Sequence, residues 1–415
     1  MNEIRNILIG FQLGKKRSQI CYYDRKAQEP VSISTKVGST LYEFPTSLCK
    51  KVGRNEWHFG LEAEYFGKMS GTTFIDQLYE ISQKEEAVII EGKTFEPWEL
   101  LHIFIEGALK MLGVQDISKS ITGLVVTCES LEQPLVGHLK RALDKLNLRN
   151  GCIRIIDFDE SFYYHTMYQK PELYSKKVAL IRFDGLHVAF RNLQITQKTR
   201  PALVKISEEK EYPLEGVQEA WDSAFYQAIT DYMGNDAYSS VFMIGTGFEQ
   251  DWATCSLPLL AKYARRIYYG NNLFAKGACY AAKEFTEEKK LKDFLYYGKD
   301  LVGSNVGMEM IVHGMKVYYP LVVAGVNWYD IDKECEFILD DKEDLNFVVS
   351  PMEGGERKTY VMVLPNLPKR PNRTTRLRMH INGISSKLCQ IKVTDLGFGE
   401  FYPASGKEWL ESMKL

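Results

Sequence analysis

Three stretches of this 415-residue chain hold residue types that could do chemistry. The first is Gly14-Lys15-Lys16-Arg17-Ser18, a polar tip between the apolar runs IRNILIGFQL and QICYYD. Glycine, lysine and serine on a tight turn can offer backbone N–H groups and cations to a phosphate. The second is acidic: Asp157, Asp159 and Glu160 lie at and just past the end of CIRIIDF, and Asp184 follows KVALIRF. Carboxylates at strand ends can hold a divalent metal or move a proton. The third is Gly245-Thr246-Gly247, closing the run YSSVFMI, where a glycine turn lets a ligand come close to the backbone. For the first two a plainer reading stands alongside: a solvated hairpin tip, and acids that cap turns and helices.

The elements that must position these residues follow a strand–helix rhythm. ITGLVVT (121–127) reads as a buried strand. QPLVGHLKRALDKLNL follows as a helix, with Leu135, Leu139, Ala142, Leu143 and Leu146 on one face. CIRIIDF and KVALIRF are further strands, with ESFYYHTMYQ as the helix between them. Such alternation points to a doubly wound sheet, whose ligand sites lie at the carboxyl ends of the strands. Before it, residues 4–24 read as a hairpin marked by Gly10 and Gly14. TFEPWELLHIFIEGALKMLG reads as an amphipathic helix with Thr94 as N-cap and His102 as a structural histidine. After it, VAFRNLQI is a hairpin return, PALVKISEEKEYPLEG reads as charged and irregular, and QEAWDSAFYQAITDYMG is a helix. CSLPLLAKYA and NLFAKGACYAAKEF follow as two more helices, the last rich in small residues that allow close packing.

From Phe294 the texture changes to short strands separated by Gly, Pro, Asn and Asp turns, an all-β sandwich pattern in which Asn382-Gly383 signals a hairpin. The totals agree with two or three domains. A net charge of −2 gives no electrostatic reason to expect nucleic acid or an anionic membrane. No apolar run approaches the roughly 20 residues that span a bilayer, and the opening MNEIRNILIG reads as a strand, not a leader. Eight scattered cysteines without a CxxC pair read as free thiols. The expectation is a cytoplasmic protein.

The colinear order of these pieces resembles the seventy-kilodalton heat-shock chaperone family. IGFQLGKKRSQICYYD is similar to its first phosphate loop, KVALIRFDGLHVAF sits where the second belongs, and VFMIGTGF where the adenosine loop belongs. IRIIDFDESFYYHTMYQ resembles the strand and helix that carry Glu-Pro, and AKGACYAAKEF the final helix. KDFLYYGKDLVGSNVGMEM resembles the linker and first sandwich strand, and VLPNLPKRPNRTTRLRMHINGISSKLCQIKVTD the last ones. The resemblance implies an α/β actin-like (ribonuclease H-like) two-lobed domain with a reduced second lobe, followed by an all-β sandwich. The lobes would cover about 1–175 and 176–290, with a linker at 291–301 and a peptide-binding sandwich at 302–415. It implies ATP or ADP with magnesium as cofactor, held by Gly14, Lys15, Ser18, Gly185, Gly245, Thr246 and Gly247.

The chain departs from that pattern where the chemistry would be. Gln12 stands in place of a metal-facing aspartate, and Arg182-Phe183-Asp184-Gly185-Leu186-His187 in place of a glycine-rich loop. Glu160 matches the family's glutamate, but Ser161 replaces its proline. Lys68 is merely near the place of the catalytic lysine, the adenosine-clamping lobe is too short, and no helical lid follows. ATP hydrolysis needs a metal held by carboxylates and a preorganised phosphate cradle. The first expectation is therefore a non-hydrolysing, chaperone-like protein that binds a protein or extended peptide through its sandwich. A second is a divergent ATPase that has rebuilt its site from Asp157, Asp159, Glu160 and Asp184, with Glu160 and Asp184 as catalytic candidates. A third is an actin-like assembly scaffold.

Overall fold

The computed structural model describes residues 6–415 except 37, 115, 150, 198–199, 215–217, 249–251, 265, 288, 341–342 and 353. The chain divides into two compact units, Met1–Tyr296 and Tyr297–Leu415.

The first unit holds two large sheets. One is built from β1 (Ile7–Gln12), β2 (Arg17–Asp24), β3 (Glu29–Ser32), β4 (Ile121–Cys128) and β5 (Ile153–Asp157), in the order β5-β4-β1-β2-β3. The strands β1, β4 and β5 are parallel, while β2 and β3 return antiparallel. The other is built from β6 (Lys177–Phe183), β7 (His187–Thr196), β8 (Ala202–Ile206), β9 (Tyr238–Gly245) and β10 (Arg266–Tyr269), in the order β10-β9-β6-β7-β8. It repeats the same directions: β6, β9 and β10 parallel, β7 and β8 antiparallel. Covered on both faces, β4 and β9 read as apolar runs without alternation.

Helices fill the space around these sheets. α1 (Pro97–Lys110) and α2 (Leu135–Asp144) pack together, and Phe104 of α1 meets Phe11 of β1 edge-on at 6.2 Å. α3 (Phe158–Met167) runs from the end of β5. On the second sheet, α4 (Gln218–Met233) and α5 (Ser256–Tyr263) pack against one another, and α6 (Leu273–Thr286) crosses back to lie on β1, β4 and β2. Leu8, Val125 and Ile156 of the first sheet and Val178, Leu180 and Phe242 of the second join α3 and α6 in one continuous core. The opposite face of β6, carrying Ala179, Ile181 and Phe183, packs under α4 and α5.

Glycines set how close these layers come. A Cβ at Gly10 would overlap the Ala275 carbonyl oxygen and the Cys279 nitrogen of α6, so Gly10 is a packing residue within β1 and not a hairpin mark. Gly277 of α6 lies in the same way against the Ser161 carbonyl of α3.

Several local expectations are corrected. α1 begins at Pro97, with the Glu96 N–H donating to the Glu99 carboxylate at 2.8 Å, while Thr94 belongs to the short strand Lys93–Phe95. The charged stretch after 201 is not irregular: β8 and the strand Lys210–Pro213 both pair with β7, because Val204 is buried by the shared core. Phe294–Tyr296 pairs in parallel with β8, so this part of the expected linker is a strand of the first unit.

The second unit has two four-stranded antiparallel sheets. One runs in the order Met315–Val322, Ser304–Val312, Asp344–Pro351, Lys358–Val363, and the other in the order Asp332–Ile338, Arg376–Ser385, Leu388–Gly397, Glu408–Lys414. Each alternates buried and outward positions: Leu345, Phe347 and Val349 are buried, as are Leu377, Met379 and Ile381. The strand Glu408–Lys414, with Trp409 and Met413 buried, is one the sequence reading passed over. Asn382-Gly383 is no hairpin turn but lies within Arg376–Ser385. A Cβ at Gly383 would overlap the Trp328 carbonyl, so its glycine serves a close approach of the chain at Trp328–Asp330.

Candidate functional site

The candidate residues converge at the carboxyl ends of β1, β4, β6 and β9, where the two sheets of the first unit face each other. Leu13 to Lys16 form the β1–β2 turn, and this turn is braced from within. The Ser18 hydroxyl is fully buried and 2.8 Å from the Thr46 hydroxyl, which in turn donates to the Gly14 carbonyl at 2.8 Å. Ser18 thus ties the loop together and does not face a ligand. Lys15 points outward and pairs with Glu129, at the end of β4, at 2.7 Å.

That pair begins a ladder. Glu129 also accepts from Arg182 of β6 at 2.7 Å, and Arg182 reaches Glu209 at 2.9 Å. Glu209 accepts from Arg191 of β7 at 3.1 Å, and Arg191 pairs closely with Asp159 of α3. Arg182 and Arg191 lie diagonally on one face of the β6–β7 pair, because Arg182 is opposite Ala189 and Arg191 opposite Leu180. Lys15, Arg182 and Arg191 therefore meet Glu129, Glu209 and Asp159, three cations against three anions, across both sheets. Burial alone would raise Glu129, but Lys15 and Arg182 hold its carboxyl below the usual carboxylate range. Burial would likewise lower Arg182 and Arg191, and their carboxylate partners hold both above the ordinary arginine value.

The second glycine turn is filled by the chain itself. Gly245 has φ +108° and Gly247 φ +117°, conformations that favour glycine. A Cβ at Gly245 would overlap the Phe183 carbonyl, and one at Gly247 would overlap the Phe183 ring. The backbone is approached closely here, but by Phe183, whose ring also meets Trp221 at 5.5 Å, Phe248 at 5.3 Å and Trp252 at 5.7 Å. Asn271 completes the closure: its side-chain oxygen accepts from Gly245 N–H at 2.6 Å and its carbonyl from the Gln19 amide at 2.9 Å. Thr246 is exposed at the tip between the two glycines.

The four acids are not gathered into one site. The Asp157 carboxylate caps α3 by accepting from Glu160 N–H at 2.7 Å. Asp159 belongs to the ladder. Asp184 accepts from the N–H groups of Leu186 and His187 at 2.9 and 2.8 Å and closes its own turn around Gly185, which faces open space. Burial would raise Asp184, and those two donors hold it below its ordinary value. Glu160 lies on the first turn of α3. Among the described residues no group of three or more His, Cys, Asp or Glu side chains is placed to hold a metal ion. Gln12 ends β1 with its side-chain oxygen buried and without a partner, and Lys68 is exposed on the turn after the helix Gly60–Phe66. Gly14, Lys15, Gly245 and Gly247 thus come together at one end of the sheets. Between the two sheets at that end stand Glu129, Arg182, Arg191 and Glu209, while Phe183, on the opposite face of β6, closes the Gly245–Gly247 turn. The signal for two of these was an arginine inside each of the otherwise apolar strands KVALIRF and VAFRNLQI.

Among the described residues no helix is long and apolar enough to cross a membrane. No curated protein matches the chain. Residues 301–415 match a domain of unknown function, DUF8552. Residues 29–299, more than half of the chain, match the model described as the C-terminal part of a family of unknown function, DUF5716. The chain belongs to the DUF5716 family.

Proposed function

We propose that this protein is a non-hydrolysing, chaperone-like binding protein, in which an actin-like two-lobed body serves as scaffold and a β-sandwich holds an extended peptide. The observation that carries the reading is the ladder from Lys15 to Asp159, together with Phe183 in the Gly245–Gly247 turn. A nucleotide needs cations and backbone N–H groups turned toward its phosphates and a metal beside them. Here Lys15 is engaged by Glu129, the arginines by carboxylates, and the glycine turn by an aromatic ring. The repeated strand order of the two sheets supports the actin-like body, since each has a parallel trio followed on one side by two strands in antiparallel pairing.

The binding surface is argued from an asymmetry of the second unit. The outer face of one sheet is laced with charge, with Arg378 to Glu336, His380 to Asp332 and Lys392 to Glu408. The other sheet turns Ile311, Tyr318, Val361 and Val363 outward, all exposed. Its two edges also differ. The edge strand Met315–Val322 contains Lys316 and Pro320, residues that discourage further pairing, whereas the opposite edge, Lys358–Val363, carries one lysine at its first position and runs on as Thr-Tyr-Val-Met-Val. An edge charged only at its first residue, with apolar side chains on alternate positions beyond it, fits an extended chain added as a fifth strand.

The test uses the full chain against an array of extended peptides, with the double variant Val361→Lys, Val363→Lys as comparison. Both side chains are about half exposed, so the substitution leaves the core intact. Apolar, β-branched peptides are expected to bind the wild type and to lose at least tenfold in affinity in the variant. Equal binding by both proteins, or none by either, would overturn the reading.

A further inference from the structure

A cavity of the first unit, about 210 Å³, is lined by none of the ladder's residues. Its lining comes from five elements: Pro30 at β3, His165 on α3, Phe242 and Tyr268 on β9 and β10, and Lys276 on α6. The walls are flat and aromatic. Phe242 and Tyr268 stack at 5.2 Å, and the His165 ring stands edge-on to Phe242 at 5.3 Å.

Two polar groups here lack what burial ordinarily demands. His165 Nδ1 is buried without a hydrogen-bond partner, an unfavourable state unless water or a ligand meets it. Lys276 is half-buried and makes no ion pair among the described residues. Burial, with the nearby Lys276 ammonium adding to it, pushes His165 down to about 3, so the imidazole is neutral at ordinary pH. A neutral imidazole can offer an N–H or a lone pair, and the ammonium beside it asks for an anion. Glu29, the acid of the lining, is exposed at the rim and not within.

We infer that this cavity is a binding site for a small aromatic carboxylate, its ring lying against Phe242 and Tyr268 and its carboxylate held by Lys276 and His165. The lining separates this class from its neighbours. An aliphatic acid would leave the aromatic walls uncovered, and an aromatic amine would meet Lys276 with like charge.

Benzoate is the probe, titrated into the full chain by saturation-transfer NMR, with acetate and benzylamine as comparisons and Lys276→Met as the variant. Because Lys276 makes no ion pair among the described residues, the variant is expected to keep the wild-type unfolding curve, which is measured alongside. Benzoate is expected to bind saturably, acetate and benzylamine at least tenfold more weakly, and Lys276→Met to lose at least tenfold in benzoate affinity. The 15N resonances of His165 are expected to move on benzoate addition and to stay still with benzylamine. Absence of saturable benzoate binding, equal affinity in Lys276→Met, or equal affinity for benzylamine would each overturn the assignment.

Discussion

Arg370→Ala is expected to destabilise the second unit by about 3–5 kcal/mol, the usual result of removing one partner of a buried ion pair. Arg370 grips both oxygens of Asp395, at 2.7 and 2.8 Å, with side-chain exposures of 6% and 0%. The same guanidinium donates to the Pro403 carbonyl, and Asp395 also accepts from the N–H groups of Gly397 and Ser405. One pair therefore holds two loops against the strand Leu388–Gly397. Burial would raise Asp395, but Arg370 and the backbone donors hold its carboxyl well below the usual carboxylate range. A carboxyl depressed in the folded state contributes stability that is present above its unfolded value, near 3.9, and is lost as pH falls through the folded one. Without Arg370 the buried carboxylate loses its counter-charge and its pKa rises. The penalty is thus expected to be full at neutral pH and smaller in mild acid, where the variant's Asp395 takes a proton. Hydrogen exchange of the Leu388–Gly397 amides, measured at both pH values, reads this directly. A penalty under 1 kcal/mol at neutral pH would contradict the role given to the pair.

Gly277→Ala is expected to cost roughly 2–3 kcal/mol, and Gly277→Val more, because the added carbon overlaps backbone and not a flexible side-chain end. The obstacle is the Ser161 carbonyl on α3, and parting α3 from α6 would loosen the core that joins the two sheets. Gly303→Ala is the control: nothing lies within 4 Å of its Cβ, so a change within about 0.5 kcal/mol is expected. Urea unfolding of the wild type and the three variants separates the cases. Equal midpoints for Gly277→Ala and the wild type would mean that the helices can part at no cost.

How much of this was legible in the sequence depends on the range over which each signal acts. The helices α2, α3 and α6 and the buried strands β4, β6 and β9 carry their own periodicity or apolar runs, so local pattern is enough. The same is true of the alternation in the second unit. The misreadings fall where a distant backbone decides a residue. Gly10 and Gly383 look like turn glycines, but each is small because a carbonyl from elsewhere comes to meet it. Thr94 is a good cap by type, yet Pro97 and Glu99 set the start of α1 two residues later. The candidate site follows the same rule. Gly14, Lys15, Gly245 and Gly247 were visible as chemistry-bearing types at strand ends. Their occupants were not, because Arg182 finds Glu129 at a separation of 53 residues and Glu209 at 27, pairings that no local window contains.

The claim that the chain fills its own cleft is tested most directly by calorimetric titration of ATP and ADP, each with magnesium, into the full protein, with the unfolding temperature recorded alongside. No saturable heat and no shift are expected at millimolar nucleotide. Arg182→Ala is expected to leave that result unchanged, since Phe183 still occupies the Gly245–Gly247 turn. Micromolar binding to the wild type, with the rise in unfolding temperature that binding to the folded state alone produces, would contradict the account and favour the divergent ATPase.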